Sequence, residues 1–199
     1  AYELERLPPD WVAVLTQFHE IWVPSAFVAA AVRAGCGRAG PLVRVVPHPF
    51  PALPERLAAP RCFPQDRPFR FLAMFDMRST VMRKNHMGAI RTFQSAFEPQ
   101  ARSVNLMVKV VEAGFDAAVL AELRRATAGW PNISIMTEQL GDDGTLALIA
   151  EADCLVSLHR SEGFGLTIAE AMSVGTPAII TGWSAPVEFS AGAALAVPY

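Results

Sequence analysis

Two carboxylates eight residues apart, Glu162 and Glu170, bracket a glycine-containing segment that has the composition of a ligand-binding turn. Between the apolar run 154–158 and a stretch of helical character lies the segment Glu162-Gly163-Phe164-Gly165-Leu166. The first N–H groups of a helix have no partner within the helix, and the helix dipole favours negative charge there. Glycines let such amides approach a ligand closely. The sequence therefore predicts a phosphate cradle with two acids beside it, which suggests a nucleotide or nucleotide-sugar site.

Cations that follow neighbouring predicted strands could neutralise such a phosphate. Open α/β sheets bind ligands beyond the carboxyl ends of their strands, so these residues should gather at one rim. The candidate cations at that rim are Arg78, Arg83, Lys84, Lys109 and Arg160, with Ser79 as a neutral candidate beside them. The start of a helix disfavours cations, so the pair Arg83-Lys84 before a predicted helix is easier to explain if an anion binds there. We expect this pair to bind phosphate, and regard Arg78, Ser79 and Lys109 as weaker candidates.

The elements that must position these residues alternate between strand and helix from residue 69 onwards. Strands are predicted at 69–75, 104–110, 133–136, 154–158, 178–181 and 194–197. Helices are predicted after a cap at Asn85, and at 115–127, 146–150 and 166–174. Near-continuously apolar strands that alternate with helices predict an α/β fold with a doubly wound parallel sheet.

A smaller unit is predicted before this sheet. Helix 8–17, strand 19–23, helix 26–34 and strand 43–46 make up this unit, with Ser25 as the N-cap of the second helix and Gly35 as its stop. Seven prolines from Pro47 to Pro68 exclude a continuous helix or a central strand there. We therefore predict domains at 1–47 and 69–199, joined by a linker at 48–68.

Composition narrows the class of protein. Of the 199 residues, 52% are apolar and 18% are charged, which fits a sheet covered on both faces. The net charge of −2 gives no signal for nucleic-acid binding. Three widely spaced cysteines, Cys36, Cys62 and Cys154, form neither a disulfide framework nor a metal motif and favour a reducing compartment. No apolar run reaches the roughly 18 residues of a transmembrane helix.

At these motifs the chain resembles retaining glycosyltransferases of the two-Rossmann-domain (GT-B) type, specifically family 4, the glycosyl transferases group 1 domain. The turn with Glu162 and Glu170 resembles their E-x7-E motif, and 171–177 resembles its AMxxGTP continuation. The stretch 83–85 resembles the basic turn that grips the donor diphosphate, although His86 stands where many relatives have proline. Residues 18–25 resemble the segment that closes the N-terminal, acceptor-binding domain.

The resemblance implies roles for individual residues. Glu170 would bind the ribose hydroxyls of the donor nucleotide, and Glu162 would act as the catalytic residue on the hydroxyls of the transferred sugar. Gly163 and the amides of Phe164, Gly165 and Leu166 would face the diphosphate, with Arg160 as a neighbour of the ligand. No Asp-x-Asp motif occurs, so we expect neither a metal nor a cofactor, and a nucleoside-diphosphate sugar as the substrate.

The resemblance also implies a larger enzyme. Residues 1–47 match only the end of an N-terminal domain, so we expect the chain to be a donor-binding half that transfers no sugar by itself. The acceptor, a glycan or glycolipid, would bind mainly to the other domain. By analogy the source is bacterial, and the protein is cytoplasmic with peripheral contact at the inner membrane face.

Two other functions remain open at this stage. A sugar-nucleotide epimerase of the same architecture would bind the same donor without an acceptor. A non-catalytic nucleotide-sugar-binding module would keep the fold without the reaction. Analysis of the products from a labelled donor, and measurement of donor binding, separate the three hypotheses.

Overall fold

Two parallel sheets organise the part of the chain that the computed structural model describes, residues 3–49 and 66–199. In the first, β1 (Glu20–Val23) pairs with β2 (Leu42–Val45). The two strands are connected by α2 (Ala26–Cys36), against which α1 (Pro9–Leu15) packs. The core of this small unit is apolar and contains Val23, Val28, Ala29, Val32 and Val43.

The second helix begins as predicted and ends later. The hydroxyl of Ser25 accepts a hydrogen bond of 3.2 Å from the amide of Val28, which confirms the predicted N-cap. Gly35, however, is helical, and the helix continues to Cys36. The residue that stops it is Gly37, with φ of 68°, a left-handed conformation that glycine adopts at low cost.

The larger sheet has six parallel strands in the order β5-β4-β3-β6-β7-β8, which confirms the predicted doubly wound α/β fold. The strands are β3 (Phe69–Asp76), β4 (Val104–Val111), β5 (Ile133–Met136), β6 (Cys154–Ser157), β7 (Ala178–Thr181) and β8 (Leu195–Val197). The helices are α3 (Val81–Lys84), α4 (His86–Ala96), α5 (Ala117–Thr127), α6 (Asp142–Glu151), α7 (Leu166–Ser173) and α8 (Val187–Ser190).

The faces of this sheet are covered by different helices. Successive residues of β3 point to opposite faces: Phe75 packs in the core under α4 and α5, and Leu72 packs in the core under α6 and α7. Since β4 and β6 lie on either side of β3, the chain reverses its winding direction there. Such a switch point leaves a crevice at the carboxyl ends of the two central strands.

Several helix ends differ from the sequence-based predictions. Helix α5 begins at Ala117 because the Asp116 carboxylate caps it, accepting from the amides of Ala118 and Val119, both at 3.0 Å. Helix α6 is longer than predicted, and α3 and α8 are unpredicted single turns. Asn85 occupies the N-cap position of α4 but does not cap it, because its side-chain amide donates to the Leu158 carbonyl at 2.8 Å.

The predicted linker and domain boundaries stay predictions. Residues 50–65, which contain most of the proline-rich stretch, lie outside the described residues, as does Cys62.

Candidate functional site

A cavity of about 320 Å³ lies at the switch point, at the carboxyl ends of β3 and β6. Its walls include the end of β3, the end of β6, residues 84–86, and the turn and helix start at 162–168. The small N-terminal unit and its flanks contribute Glu3, Pro24 and His48. The cavity therefore brings together the predicted glycine turn and part of the predicted basic turn.

The glycine turn enters α7 through a backbone conformation that favours glycine. Gly165 immediately precedes α7 and has φ of 94°, which side chains other than glycine rarely tolerate. A Cβ at this position would lie 2.8 Å from Cγ of Pro186. Because α7 starts at Leu166, its first amides have no carbonyl one turn earlier within the helix. These amides belong to residues that line the cavity, where they could bind an anion.

Glu162 forms the centre of a charge cluster. Its side chain is only 6% exposed, and its Oε1 lies 3.2 Å from the guanidinium of Arg83 and forms an ion pair with the ammonium of Lys84. Arg83 also donates to the Ser161 carbonyl at 3.0 Å and lies 2.5 Å from the carboxylate of Glu3. The structure thus joins the predicted acid to the predicted basic pair, although Lys84 and Glu162 are 78 positions apart in sequence.

The backbone of Glu162 is held by the loop that follows β7. The Glu162 amide donates to Oγ of Ser184 at 2.9 Å, and the Glu162 carbonyl accepts from the amide of Ala185 at 3.2 Å. Ser184 is buried and has φ of 67°, a conformation that is uncommon for a residue with a side chain. A strained residue that bonds directly to the site is a typical feature of functional loops.

Glu170 lies outside the lining of the cavity. It is half-buried on α7, and its pKa is raised, chiefly by burial and also by the negative charge of Asp142 in the first turn of α6. A carboxylate in such a position can accept hydrogen bonds from the two hydroxyls of a ribose. Its assignment to the ribose stays a prediction.

The other basic candidates do not line the cavity. Arg78 is exposed and pairs with Asp76 at 2.6 Å, and Arg160 donates to the carbonyl of Met82. Ser79 supports Arg83 instead, because its hydroxyl accepts from that guanidinium at 3.4 Å. In this conformation the side chains of all three residues bond to other groups of the protein.

The expectation that Lys109 lies at the rim is wrong, because this lysine is inside β4. Strand β4 continues to Val111, and Lys109 is 1% exposed. Its ammonium donates to the carbonyls of Glu138 at 2.6 Å and Val110 at 3.2 Å. Burial lowers the pKa of this lysine. The side chain therefore ties β4 to the segment after β5.

Two buried histidines flank the site. His159 is held through Nδ1 by Ser157 and through Nε2 by the Trp183 carbonyl at 3.2 Å. His86 is 4% exposed and stacks on Phe75 at 4.4 Å, and neither of its ring nitrogens has a hydrogen-bond partner among the described residues. Burial lowers the pKa of both imidazoles, which favours the neutral form.

Sequence reasoning missed the contribution of the N-terminal unit. His48 packs edge-on against Phe164 of the turn, with ring centroids 5.1 Å apart, and Glu3 reaches Arg83. Such contacts between distant segments leave no local pattern in the sequence.

Residues that could hold a metal ion are not grouped in residues 3–49 and 66–199, where no three histidine, cysteine or carboxylate side chains cluster suitably. The expectation of a metal-independent site is not decided by this observation.

Comparison with solved structures shows the same fold in proteins of low sequence identity. An E. coli structure described as trehalose-6-phosphate bound with UDP-2-fluoro glucose has a TM-score of 0.71 at 10% identity, covering 95% of this chain and 51% of that one. Anabaena Alr3699/HepE in complex with UDP and glucose has a TM-score of 0.69 at 16% identity, with coverages of 92% and 50%.

A third structure is the trehalose-phosphate synthase (UDP-forming) from Burkholderia xenovorans in complex with glucose-6-phosphate. Its TM-score is 0.67 at 15% identity, with coverages of 95% and 52%. The chain thus spans about half the length of these structures. The architecture they share with it is the Rossmann-like fold of GT-B glycosyltransferases.

Among the described residues, no helix is both long and apolar enough to cross a membrane. No curated protein matches the chain by sequence.

The sequence model described as "Glycosyl transferases group 1" matches residues 80–198, which is more than half of the chain. This match includes the basic turn, the glycine turn and the loop after β7. The chain therefore belongs to the glycosyl transferases group 1 family.

Proposed function

We propose that this chain is the donor-binding part of a retaining family 4 glycosyltransferase, which moves a sugar from a nucleoside diphosphate to an acceptor hydroxyl. The observation that carries the proposal is the position of Glu162 between two cations and the start of α7. Lys84 and Glu162 line the same cavity as Gly165 and Leu166, and Arg83 contacts Glu162 from beside it. Phosphate, sugar and helix amides can meet at such a place.

The diphosphate would lie between the basic pair and the first amides of α7. Charge that develops on the leaving diphosphate would be stabilised by Lys84, by Arg83 and by the amides of 164–166, without a metal ion. The turn that carries these amides is fixed before the reaction because it is bonded to the loop after β7. Little reorganisation is then needed as the bond to the sugar breaks.

Glu162 would contact the transferred sugar, and Glu170 the ribose. A buried carboxylate accepts hydrogen bonds from neighbouring hydroxyls and so fixes the orientation of a sugar. Holding donor and acceptor in a reactive geometry can contribute about 7–11 kcal/mol in favourable cases. Retention of anomeric configuration and the family 4 assignment are supported by the E-x7-E pattern.

The remaining parts of the proposal draw on the family resemblance. The acceptor is a glycan or glycolipid, bound mainly by an N-terminal domain of which residues 1–47 form the end, with transfer requiring that domain. The site faces the cytoplasm, at the inner membrane surface. The separate two-stranded sheet formed by β1 and β2 supports the division into two domains.

Calorimetric titration with UDP, GDP, ADP and dTDP, each with and without EDTA, tests the proposal. We expect at least one nucleotide to bind, with an affinity that EDTA leaves unchanged. The absence of binding by all four would contradict the donor site, and a collapse in EDTA would contradict neutralisation by side chains. Product analysis with a radiolabelled sugar nucleotide, on the protein with its complete N-terminal domain, then separates transfer from epimerisation.

A further inference from the structure

Glu3 belongs to the N-terminal segment, yet it forms part of the cavity wall. Its Oε2 lies 2.5 Å from the guanidinium of Arg83. Its main chain is also attached to the site, because the Ser161 hydroxyl donates to the Glu3 carbonyl. A residue distant in sequence is therefore bonded both to Arg83 and to Ser161, which directly precedes Glu162.

Charge is balanced in this cluster. Two cations, Arg83 and Lys84, face two carboxylates, Glu3 and Glu162. A diphosphate brings at least two further negative charges into the same partly buried space, where they repel carboxylates strongly. For the cations to bind phosphate at full strength, one carboxylate must withdraw or lose its charge.

The two carboxylates differ in how easily they can move away from the cations. Glu162 is 6% exposed and is fixed through its backbone by Ser184 and Ala185. Glu3 is 26% exposed and lies in a segment that is neither helix nor strand. Displacing Glu3 therefore disturbs less structure than displacing Glu162.

The protonation equilibrium points to the same residue. The pKa of Glu3 is raised above its ordinary value, first by burial and further by the negative charge of Glu162, while Arg83 and Lys84 act in the opposite direction. An incoming anion would add to the negative charge beside it. Asp76, His48 and His86 are the other titratable groups in the cavity wall.

We propose that Glu3 is an internal counter-ion of Arg83. Its carboxylate occupies the position beside the guanidinium that a phosphate of the donor takes, and it must leave that position when the donor binds. The assignment of the ligand rests on the proposed function. Glu3 then influences the donor affinity although it lies outside the predicted donor-binding domain, residues 69–199. Removing its charge should strengthen diphosphate binding, whereas a residue that merely orients Arg83 would weaken binding when replaced.

The experiment measures the Kd of inorganic pyrophosphate and of UDP by calorimetry at fixed pH and ionic strength. The variants are Glu3→Gln, Glu3→Ala and the matched control Glu5→Gln, which removes the same charge from an exposed position in the same segment. Both Glu3 variants should bind pyrophosphate about three- to fivefold more tightly than the unmodified chain, which is the upper part of the range for competition with a partly exposed ion pair. Glu5→Gln should stay within about twofold. The gain should vanish in an Arg83→Ala background.

Each outcome decides one of the two proposals. Weaker or unchanged pyrophosphate binding in the Glu3 variants, an equal gain in Glu5→Gln, or no pyrophosphate binding at all would overturn the counter-ion role. Tighter pyrophosphate binding in Glu3→Gln, without binding of UDP or of GDP, ADP and dTDP in the same series, would support the counter-ion and overturn the nucleotide site. Nucleotide binding with an affinity that the Glu3 variants leave unchanged would support the nucleotide site and overturn the counter-ion.

Discussion

The hydroxyl of Ser25 donates a hydrogen bond of 2.7 Å to the carbonyl of Gly163, across 138 residues of sequence. Ser25 is also the N-cap of α2, so one buried side chain joins the small unit to the glycine turn. The carboxylate of Glu188 strengthens this junction, because it accepts from the amides of Ala26 at 2.9 Å and Phe27 at 2.7 Å. The start of α2 is thus bonded to the glycine turn and to α8 of the larger unit.

Replacing Ser25 with alanine should affect both stability and ligand binding. The variant loses an N-cap and leaves the Gly163 carbonyl without this donor, which together should lower the free energy of unfolding by about 1–3 kcal/mol. Nucleotide affinity should fall as well, because Gly163 lines the cavity. Asp116→Ala is the matched control, since it removes the cap of α5. Urea unfolding and nucleotide titration check both effects; equal nucleotide affinity in the two variants would contradict the link between cap and turn.

Replacing Gly165 with alanine should distort the turn. Alanine at φ of 94° costs about 1–3 kcal/mol, and its Cβ would lie 2.8 Å from the ring of Pro186. We expect a lower midpoint of thermal unfolding and a nucleotide affinity reduced by tenfold or more. Gly114→Ala is the control, because a Cβ there meets nothing within 4 Å. If both alanine variants bind nucleotide alike, the conformation of Gly165 does not matter to the site.

The main features of the larger sheet could be predicted from the sequence because its strands are short, apolar and separated by helices. The strands at 133–136 and 178–181 have the predicted ends. Helix ends were harder to predict, since a cap such as Asp116 is recognised only when the direction of its side chain is known. The error at Lys109 has a similar cause: the length of β4 depends on its pairing with β3 along eight residues.

The turn of the candidate site could also be predicted, whereas its surroundings could not. Residues 162–166 form one local pattern, in which spacing alone indicates a helix start after glycine. The partners of Arg83 and Phe164 come instead from Glu3 and His48, far away in sequence. Tertiary packing decides these contacts, and a single sequence contains no periodicity that reports them.

Acid should destabilise the protein through its buried histidines. Burial lowers the pKa of His86 and His159 in the folded state, so the unfolded chain binds protons more readily. The contribution of these neutral histidines to the free energy of unfolding is fully present above the pKa of an unfolded histidine, about 6.5. It is lost as the pH falls below that value towards the pKa of the folded state. Urea unfolding between pH 7.5 and 5 should show this loss.

The histidine responsible can be identified with a variant. His86→Phe keeps the stack on Phe75 and removes two nitrogens that have no partner among the described residues. It should raise the free energy of unfolding at pH 7 by about 1–3 kcal/mol and reduce the dependence on pH. The same change at His19, which is exposed, serves as the control. If the pH dependence of His86→Phe matches that of His19→Phe, His86 is not the source of the acid sensitivity.

Lys84→Ala and Glu170→Ala should weaken nucleotide binding in different ways. Lys84 lines the cavity beside Glu162, so its loss should affect the diphosphate and leave a free nucleoside almost unaffected. A lost hydrogen bond to a charged group is worth about 1.5–3 kcal/mol, or roughly tenfold or more in Kd.

Glu170 is expected at the ribose, so its loss should weaken nucleoside and diphosphate by similar factors. Arg78→Ala is the control for Lys84, because it removes an exposed cation that does not line the cavity. Titration of each variant with a nucleoside and its diphosphate checks these roles. Equal losses for both ligands in both variants would show that the phosphate and ribose contacts are assigned to the wrong residues.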